Sequence, residues 1–133
     1  MDGYFACVAA PWHKEILYAM SQGCAVFGAA SMGALRAAEL APFGMVGVGE
    51  IFRAFVTGDL MDDDEVALVH APQEDGYRAL SEPMANIRAT IARAFLEGVI
   101  RESLADDLLL VAKGLLYTQR SYDRVLSKLE ELR

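Results

Sequence analysis

Basic residues are scarce in this chain of 133 residues, in which 12 Lys and Arg stand against 19 Asp and Glu for a formal net charge of −7. A nucleic-acid-binding surface needs a basic face, so this balance argues against a nucleic-acid partner. The sequence also lacks an apolar run of the roughly 18 residues that a membrane span needs, and it lacks the charged segment that opens a signal peptide. We therefore expect a cytoplasmic protein that binds neither nucleic acid nor membrane.

Cysteine is also rare, with Cys7 and Cys24 as the only two. Without a secretion signal they indicate free thiols in a reducing compartment. Both fall in predicted strands, where a thiol usually packs as a small hydrophobic side chain.

Hydrophobic residues, in contrast, make up 54% of the chain. The length suits one domain with a single core, so we predict one domain over 1–133, with an α/β core in 1–100 and a helical tail in 101–133. The apolar excess also fits a face that a partner covers, and a homo-oligomer is one such arrangement.

Three apolar runs without polar alternation are typical of parallel strands covered on both faces: 4–9, 24–29 and 66–70. Helical patterns follow them at about 11–23, 31–40 and 49–57. The sequence therefore predicts an α/β fold with a small parallel three-stranded sheet flanked by helices, in a Rossmann-like three-layer arrangement with right-handed crossovers.

The C-terminal part has an all-helical pattern. Ser81 is predicted to cap a helix that ends at Gly98. Ser103 and Asp106 resemble a capping box for a helix near 104–118, and Ser121 is predicted to cap the last helix.

Both histidines of the chain fall where predicted strands end. The carboxyl ends of parallel strands meet at one edge of a sheet, which is where open sheets bind ligands. His13 follows the first predicted strand, Ser31 follows the second, and His70 ends the third. The sequence therefore predicts one shared site, with Lys14 and Glu15 beside His13.

Ser31 allows three interpretations. A serine before a helix is ordinarily an N-cap. The turn Ala29-Ala30-Ser31-Met32-Gly33 also resembles the G-x-S-x-G nucleophile turn, with alanine in place of the first glycine. In that case the N–H groups of Met32 and Gly33 would form an oxyanion hole. The third interpretation is anion binding at the helix N-terminus.

A serine nucleophile requires a base, and His13 and His70 are the candidates. The alternative for each is an ordinary surface or core histidine. The third member of a triad stays open among Glu15, Asp64 and Asp75.

Two further charged groups have structural and functional interpretations. Arg36 and Glu39 are three residues apart on a predicted helix, so we expect them to pair, although Arg36 could instead face an anion. The run 62–65 carries four carboxylates that could hold Mg²⁺, but such runs are more often solvated turns. We predict no metal site and no cofactor.

Several segments resemble the TfuA-like core domain. The most specific is 28–40 (GAASMGALRAAEL), and the others are 2–5, 12–17, 44–49, 63–67, His70, 76–78 and 86–88. The likeness covers 2–100 and is looser in the helical tail. Members of the family commonly carry a further segment ahead of the Asp2-Gly3-Tyr4-Phe5 motif, so we expect such a segment to be missing from this chain.

TfuA-like proteins are accessory partners of YcaO-family proteins, so the resemblance implies a role in backbone thioamidation of a peptide or protein. The YcaO partner uses ATP and Mg²⁺ to activate the amide oxygen, and the TfuA-like protein supplies the sulfide. A thiocarboxylated ubiquitin-like carrier is one expected donor, and another sulfide source is the alternative. A nucleophilic Ser31 would release sulfide by hydrolysing that thiocarboxylate.

Two alternatives stay open. One is a non-catalytic binding module that docks YcaO and the sulfur donor. The other is a serine hydrolase acting on an unrelated acyl substrate.

Overall fold

The structure is a computed structural model that describes residues 10–132. The predicted strand at 4–9, including Cys7, lies outside the described residues. The chain divides into two compact units between Ala67 and Leu68. None of the helices within 10–132 has the length and apolar character needed to cross a membrane.

The first unit alternates helices and short strands. Its elements are α1 (His13–Ser21), β1 (Phe27–Ala29), α2 (Ser31–Leu40), β2 (Val46–Val48) and α3 (Glu50–Thr57). Short 3₁₀ turns lie at Ala41–Phe43 and Asp63–Glu65. The helix predicted at 31–40 is confirmed with the same bounds. It begins directly after β1 and ends at the turn that contains Pro42, which Gly44 closes at φ 105°.

The sheet of this unit is parallel but has two strands among the described residues, not the predicted three. Strands β1 and β2 pair with Phe27 opposite Val46 and Ala29 opposite Val48. The strand predicted at 66–70 is wrong: Val66 and Ala67 are fully buried without joining the sheet, and His70 forms an isolated antiparallel bridge with Ala79. The apolar run thus indicated burial. Strand β2 was missed because Gly47 interrupts its apolar residues, whereas the equally short β1 ends a longer apolar run at 24–29.

One face of the sheet lies against helices. A Cβ on Gly28 would overlap the carbonyl oxygen of Gly33 and lie 2.8 Å from the Cβ of Ala37, so α2 approaches β1 very closely. A Cβ on Gly47 would overlap the ring of Phe52 in α3. The buried core on this side consists of Ile16, Ala37, Leu40 and Met45.

The opposite face of the sheet is apolar and about half exposed. Side chains alternate along a strand, so Phe27, Val46 and Val48 lie on the face opposite Gly28 and Gly47. All three are substantially exposed to solvent. Parallel sheets are usually covered on both faces, which makes this surface unusual.

The second unit is helical, as predicted for the C-terminal part. It contains α4 (Met84–Leu96), α5 (Glu102–Gly114) and α6 (Tyr122–Glu131). Their apolar faces form one buried core of Met84, Ile87, Ile91, Ala105, Leu108, Ala112, Val125 and Leu129.

The predicted helix caps of this unit have mixed outcomes. Ser121 caps α6, since its Oγ accepts the N–H of Arg124 at 3.2 Å. The Ser81 cap is wrong: Pro83 precedes α4, and Ser81 Oγ instead accepts the N–H of Val69 at 2.9 Å. The capping box at Ser103 is also wrong, because α5 already begins at Glu102. The Ser81 hydroxyl thus bonds to a backbone N–H group of another segment and not to the helix that follows it.

Candidate functional site

Ser31 lies in a strained turn between β1 and α2. Ala30 has φ 51° and ψ 171°, and Ser31 has a positive φ of 22°. Residues other than glycine rarely adopt positive φ, and the conformation of Ala30 falls in a region that is nearly restricted to glycine. Such strain costs about 1–3 kcal/mol per residue, persists only where the surroundings impose it, and clusters at functional sites. A serine in a sharp strand-to-helix turn is the arrangement of a nucleophile elbow.

The Ser31 hydroxyl does not cap α2, so the N-cap interpretation is wrong. Ser31 is the first residue of the helix, and Ala30 occupies the N-cap position. The hydroxyl is a donor, to the carbonyl oxygen of Val66 at 3.2 Å. That distance is beyond the usual range for an O–H···O bond, so the bond is weak.

The N-terminal turn of α2 presents backbone donors next to this hydroxyl. The first intrahelical bond runs from the N–H of Ala34 to the carbonyl of Ala30. The N–H groups before it, including those of Met32 and Gly33, have no acceptor within the helix and carry the positive end of the helix dipole. Met32 and Gly33 are themselves buried. The turn therefore has the donors that an oxyanion or other anion needs.

His13, Arg36 and Glu39 form one polar cluster. His13 Nε2 lies 2.8 Å from Glu39 Oε2, and Arg36 Nη1 lies 2.7 Å from the same oxygen. The predicted pairing of Arg36 with Glu39 is confirmed. The contact with His13 connects α1 to α2 across 26 residues of sequence.

Along α2 this cluster is separated from the serine. Ser31 and Glu39 are eight residues apart, which is about 12 Å along a helix axis. In the described part of the chain Ser31 bonds to Val66 and His13 bonds to Glu39, so the two are not hydrogen-bonded to each other. The contacts of His13 therefore place it with Glu39 and not at the Ser31 hydroxyl, where a general base has to lie within hydrogen-bond reach or one water away.

The structure also shows the surroundings of the other residues that were predicted to support the site. Glu15 accepts the N–H of Trp12 at 2.7 Å and so closes the first turn of α1. Lys14 and Glu15 line a surface cavity beside the exposed Trp12. Asp64 lies with Asp62 and Glu65, and one carboxylate oxygen from each is within 4.8 Å of the others.

His70 and Asp75 belong to the second unit. His70 is half-buried at its bridge to Ala79, and Asp75 ends an exposed 3₁₀ turn, Gln73–Asp75. Cys24 lies in the first unit, where the prediction that it packs inside a strand is wrong. It precedes β1 as an exposed free thiol.

A family model described as TfuA-like protein matches residues 2–121, which extends past the likeness at 2–100 and through most of the helical tail. A search of curated proteins returned no significant match.

Proposed function

The chain belongs to the TfuA-like protein family, and from this premise we propose that it supplies sulfide to a YcaO-family partner by hydrolysing a thiocarboxylated carrier protein at Ser31. The family is generally associated with YcaO partners. In this proposal the YcaO partner carries ATP and Mg²⁺ and forms the backbone thioamide, while the present chain releases the sulfur that the partner incorporates.

The strained turn at Ala30 and Ser31 is the observation that carries the catalytic part of the proposal. An ordinary helix start needs no positive φ, and the Ser31 hydroxyl satisfies no helix N–H group. The close approach of α2 to Gly28 in β1 holds the turn between these two elements in place. A costly conformation that aims a hydroxyl away from its own helix is expected where that hydroxyl reacts.

The reaction follows from acyl transfer to serine. Ser31 Oγ attacks the carbonyl carbon of the thiocarboxylate and forms a C–O bond, while its proton passes to a base. The negative charge on the carbonyl oxygen is stabilised by the N–H groups at the start of α2. The C–S bond then breaks, and the sulfur takes the proton from the base and leaves as hydrosulfide.

Water completes the cycle. It attacks the Ser31 ester, the ester C–O bond breaks, and Ser31 regains its proton. The carrier leaves as a carboxylate. The net change converts a thiocarboxylate and one water into a carboxylate, hydrosulfide and a proton. His13 and His70 are the candidates for the base. His13 would have to leave Glu39 and approach Ser31 to serve in either step.

The test is sulfide release from a purified thiocarboxylated carrier. We expect Ser31→Ala to lower kcat by at least about a thousandfold, as loss of a serine nucleophile does elsewhere. Ser21→Ala is the matched control, because Ser21 is at the end of α1 and bonds only within that turn. A peptide mass shift on Ser31 during turnover would identify the acyl intermediate. Release by Ser31→Ala at the unmodified rate would contradict the nucleophile assignment.

A non-catalytic docking module is the second candidate, and the exposed face formed by Phe27, Val46 and Val48 favours it. In that case Val46→Asp would abolish pull-down of the YcaO partner, and Ser31→Ala would leave thioamidation intact. Labelling of Ser31 by ester probes in the absence of carrier would instead indicate a hydrolase of other acyl substrates.

A further inference from the structure

The turn before α3 repeats the backbone conformation of the Ser31 turn. Gly49 lies between β2 and α3 with φ 96° and ψ 176°, in the same backbone region as Ala30, which lies between β1 and α2 with φ 51° and ψ 171°. Each helix then begins with the same bond, from Ala34 N–H to the carbonyl of Ala30 and from Arg53 N–H to the carbonyl of Gly49. The first unit therefore contains two successive strand–turn–helix segments of similar geometry.

The register of the sheet brings the two helix starts together. Strands β1 and β2 are parallel neighbours with Ala29 opposite Val48, so the first helical residues, Ser31 and Glu50, follow at equivalent steps beyond the strand ends. Neighbouring strands are about 4.8 Å apart and packed helices about 8–10 Å, and we expect the Cα separation of Ser31 and Glu50 to lie between these limits. Helices α2 and α3 contact each other, as this spacing requires. Glu50 is thus an ionisable residue that the backbone register places beside Ser31.

An ion pair brings a positive charge to the same place. The Arg53 guanidinium donates through Nη2 to Glu50 Oε1, so it lies at the first residue of α3 although Arg53 itself is three residues further along the helix. The side chains of Arg53 and Glu50 are 64% and 86% exposed. Exposed ion pairs contribute little stability, so an anion from solution can replace Glu50 at small cost. Arg36, in contrast, is mostly buried and bonded to Glu39.

We infer that Arg53 is the substrate-binding residue of the Ser31 site and that it selects substrates whose acyl group carries a negative charge. The inference rests on the proposed function, in which the thiocarboxylate is such an anion. A guanidinium presents a planar fork of N–H donors that matches the two heteroatoms of a carboxylate-type group. Glu50 accepts from this guanidinium in the absence of substrate, and the thiocarboxylate replaces it on binding.

Glu50 sets the net charge beside Ser31. Glu50 and Arg53 together are neutral, and displacement of the Glu50 carboxylate exposes the guanidinium next to the positive ends of the α2 and α3 dipoles. An anionic acyl group gains from that charge, whereas a neutral ester or amide does not. Removal of the two charges should therefore have opposite effects: loss of the Arg53 charge weakens binding of the anion, and loss of the Glu50 charge strengthens it.

The first test is an NMR titration of the full chain carrying Ser31→Ala, which cannot form the acyl intermediate. The probe is thioacetate, the smallest stable thiocarboxylate, and acetamide is its neutral control. We expect thioacetate to shift the Arg53 Nε–H signal and the backbone N–H signals of Met32 and Gly33 along one saturation curve, and acetamide at the same concentration to shift none of them. Arg53→Met, which keeps helix propensity, should raise the thioacetate dissociation constant about tenfold, and Glu50→Gln should lower it.

Arg93→Met is the matched control for this titration. Arg93 forms an exposed pair with Glu97 in α4, within the second unit, and so resembles Arg53 in all but its place. It should leave the thioacetate dissociation constant unchanged. Equal constants in Arg53→Met and in this control would overturn the inference.

Sulfide release from the thiocarboxylated carrier provides the second measurement. We expect Arg53→Met to raise KM about tenfold with kcat nearly unchanged, as loss of a binding contact does, and Arg53→Lys to restore part of the affinity through its charge. An unchanged KM in Arg53→Met would overturn the inference and leave the proposed function standing. If the unmodified chain releases no sulfide, the proposed function fails, and the titration still decides whether Arg53 binds the anion.

Discussion

Replacing Gly28 by alanine tests the contact that supports the Ser31 turn. The added Cβ would overlap the carbonyl oxygen of Gly33, which is backbone and cannot rotate away. It would also come within 2.8 Å of Ala37 Cβ and Met45 Cε, of which only the methionine end can move. Relief therefore requires α2 to shift away from β1.

Overpacking of this kind costs about 1–3 kcal/mol, and the rigid neighbours of Gly28 place the cost at about 3 kcal/mol. For a chain of this length a loss of 1 kcal/mol lowers Tm by about 4 °C. We therefore expect Gly28→Ala to melt about 12 °C below the unmodified protein in a far-UV circular dichroism melt. Sulfide release should fall as well, because the start of α2 carries both the hydroxyl and the backbone donors.

Gly114→Ala is the matched control. Gly114 ends α5, and a Cβ there would meet no atom within 4 Å. Its substitution should be neutral or stabilising by up to about 1 kcal/mol. A Gly28→Ala protein that melts within about 2 °C of the unmodified chain would refute the tight approach of α2 to β1.

Two further substitutions test particular backbone features. Ala30→Gly should stabilise the chain by about 1 kcal/mol, since relief of its strain exceeds the entropic cost of glycine, and a lower free energy of unfolding in a urea titration would contradict this. Ser121→Ala should cost about 1 kcal/mol through the lost cap to Arg124, whereas Ser103→Ala, inside the first turn of α5, should cost less. Equal losses in thermal melts would mean that the Ser121 bond contributes nothing.

The sequence predicted those helices and strands whose formation depends on residues within one short segment. Helix α2 was predicted at 31–40 because a turn precedes it and Pro42 and Gly44 follow it. The run at 66–70 was misassigned because hydrophobic residues report burial without saying whether the backbone pairs with a strand. Strand β2 went unrecognised because its three residues, Val46–Val48, have a glycine in the middle and leave no periodicity to detect.

The features of the candidate site also differ in whether the sequence could predict them. The strand-to-helix turn at Ser31 could be predicted because serine, small residues and a helix start are adjacent in sequence. The cap interpretation failed because the acceptor of the hydroxyl, Val66, is 35 residues away. The partnership of His13 with Glu39 depends on how α1 packs against α2, and no local pattern encodes that packing. Only the i to i+3 pair of Arg36 and Glu39 offered a signal.

The alanine at position 30 has a consequence for how accurately the site is built. Glycine would adopt φ 51° and ψ 171° without penalty, but it would also admit many neighbouring conformations. Alanine has few alternatives once the packing around it forces it into this one. The chain therefore gives up stability at this position, and in return we expect the Ser31 oxygen to occupy a narrower volume than a glycine at position 30 would allow.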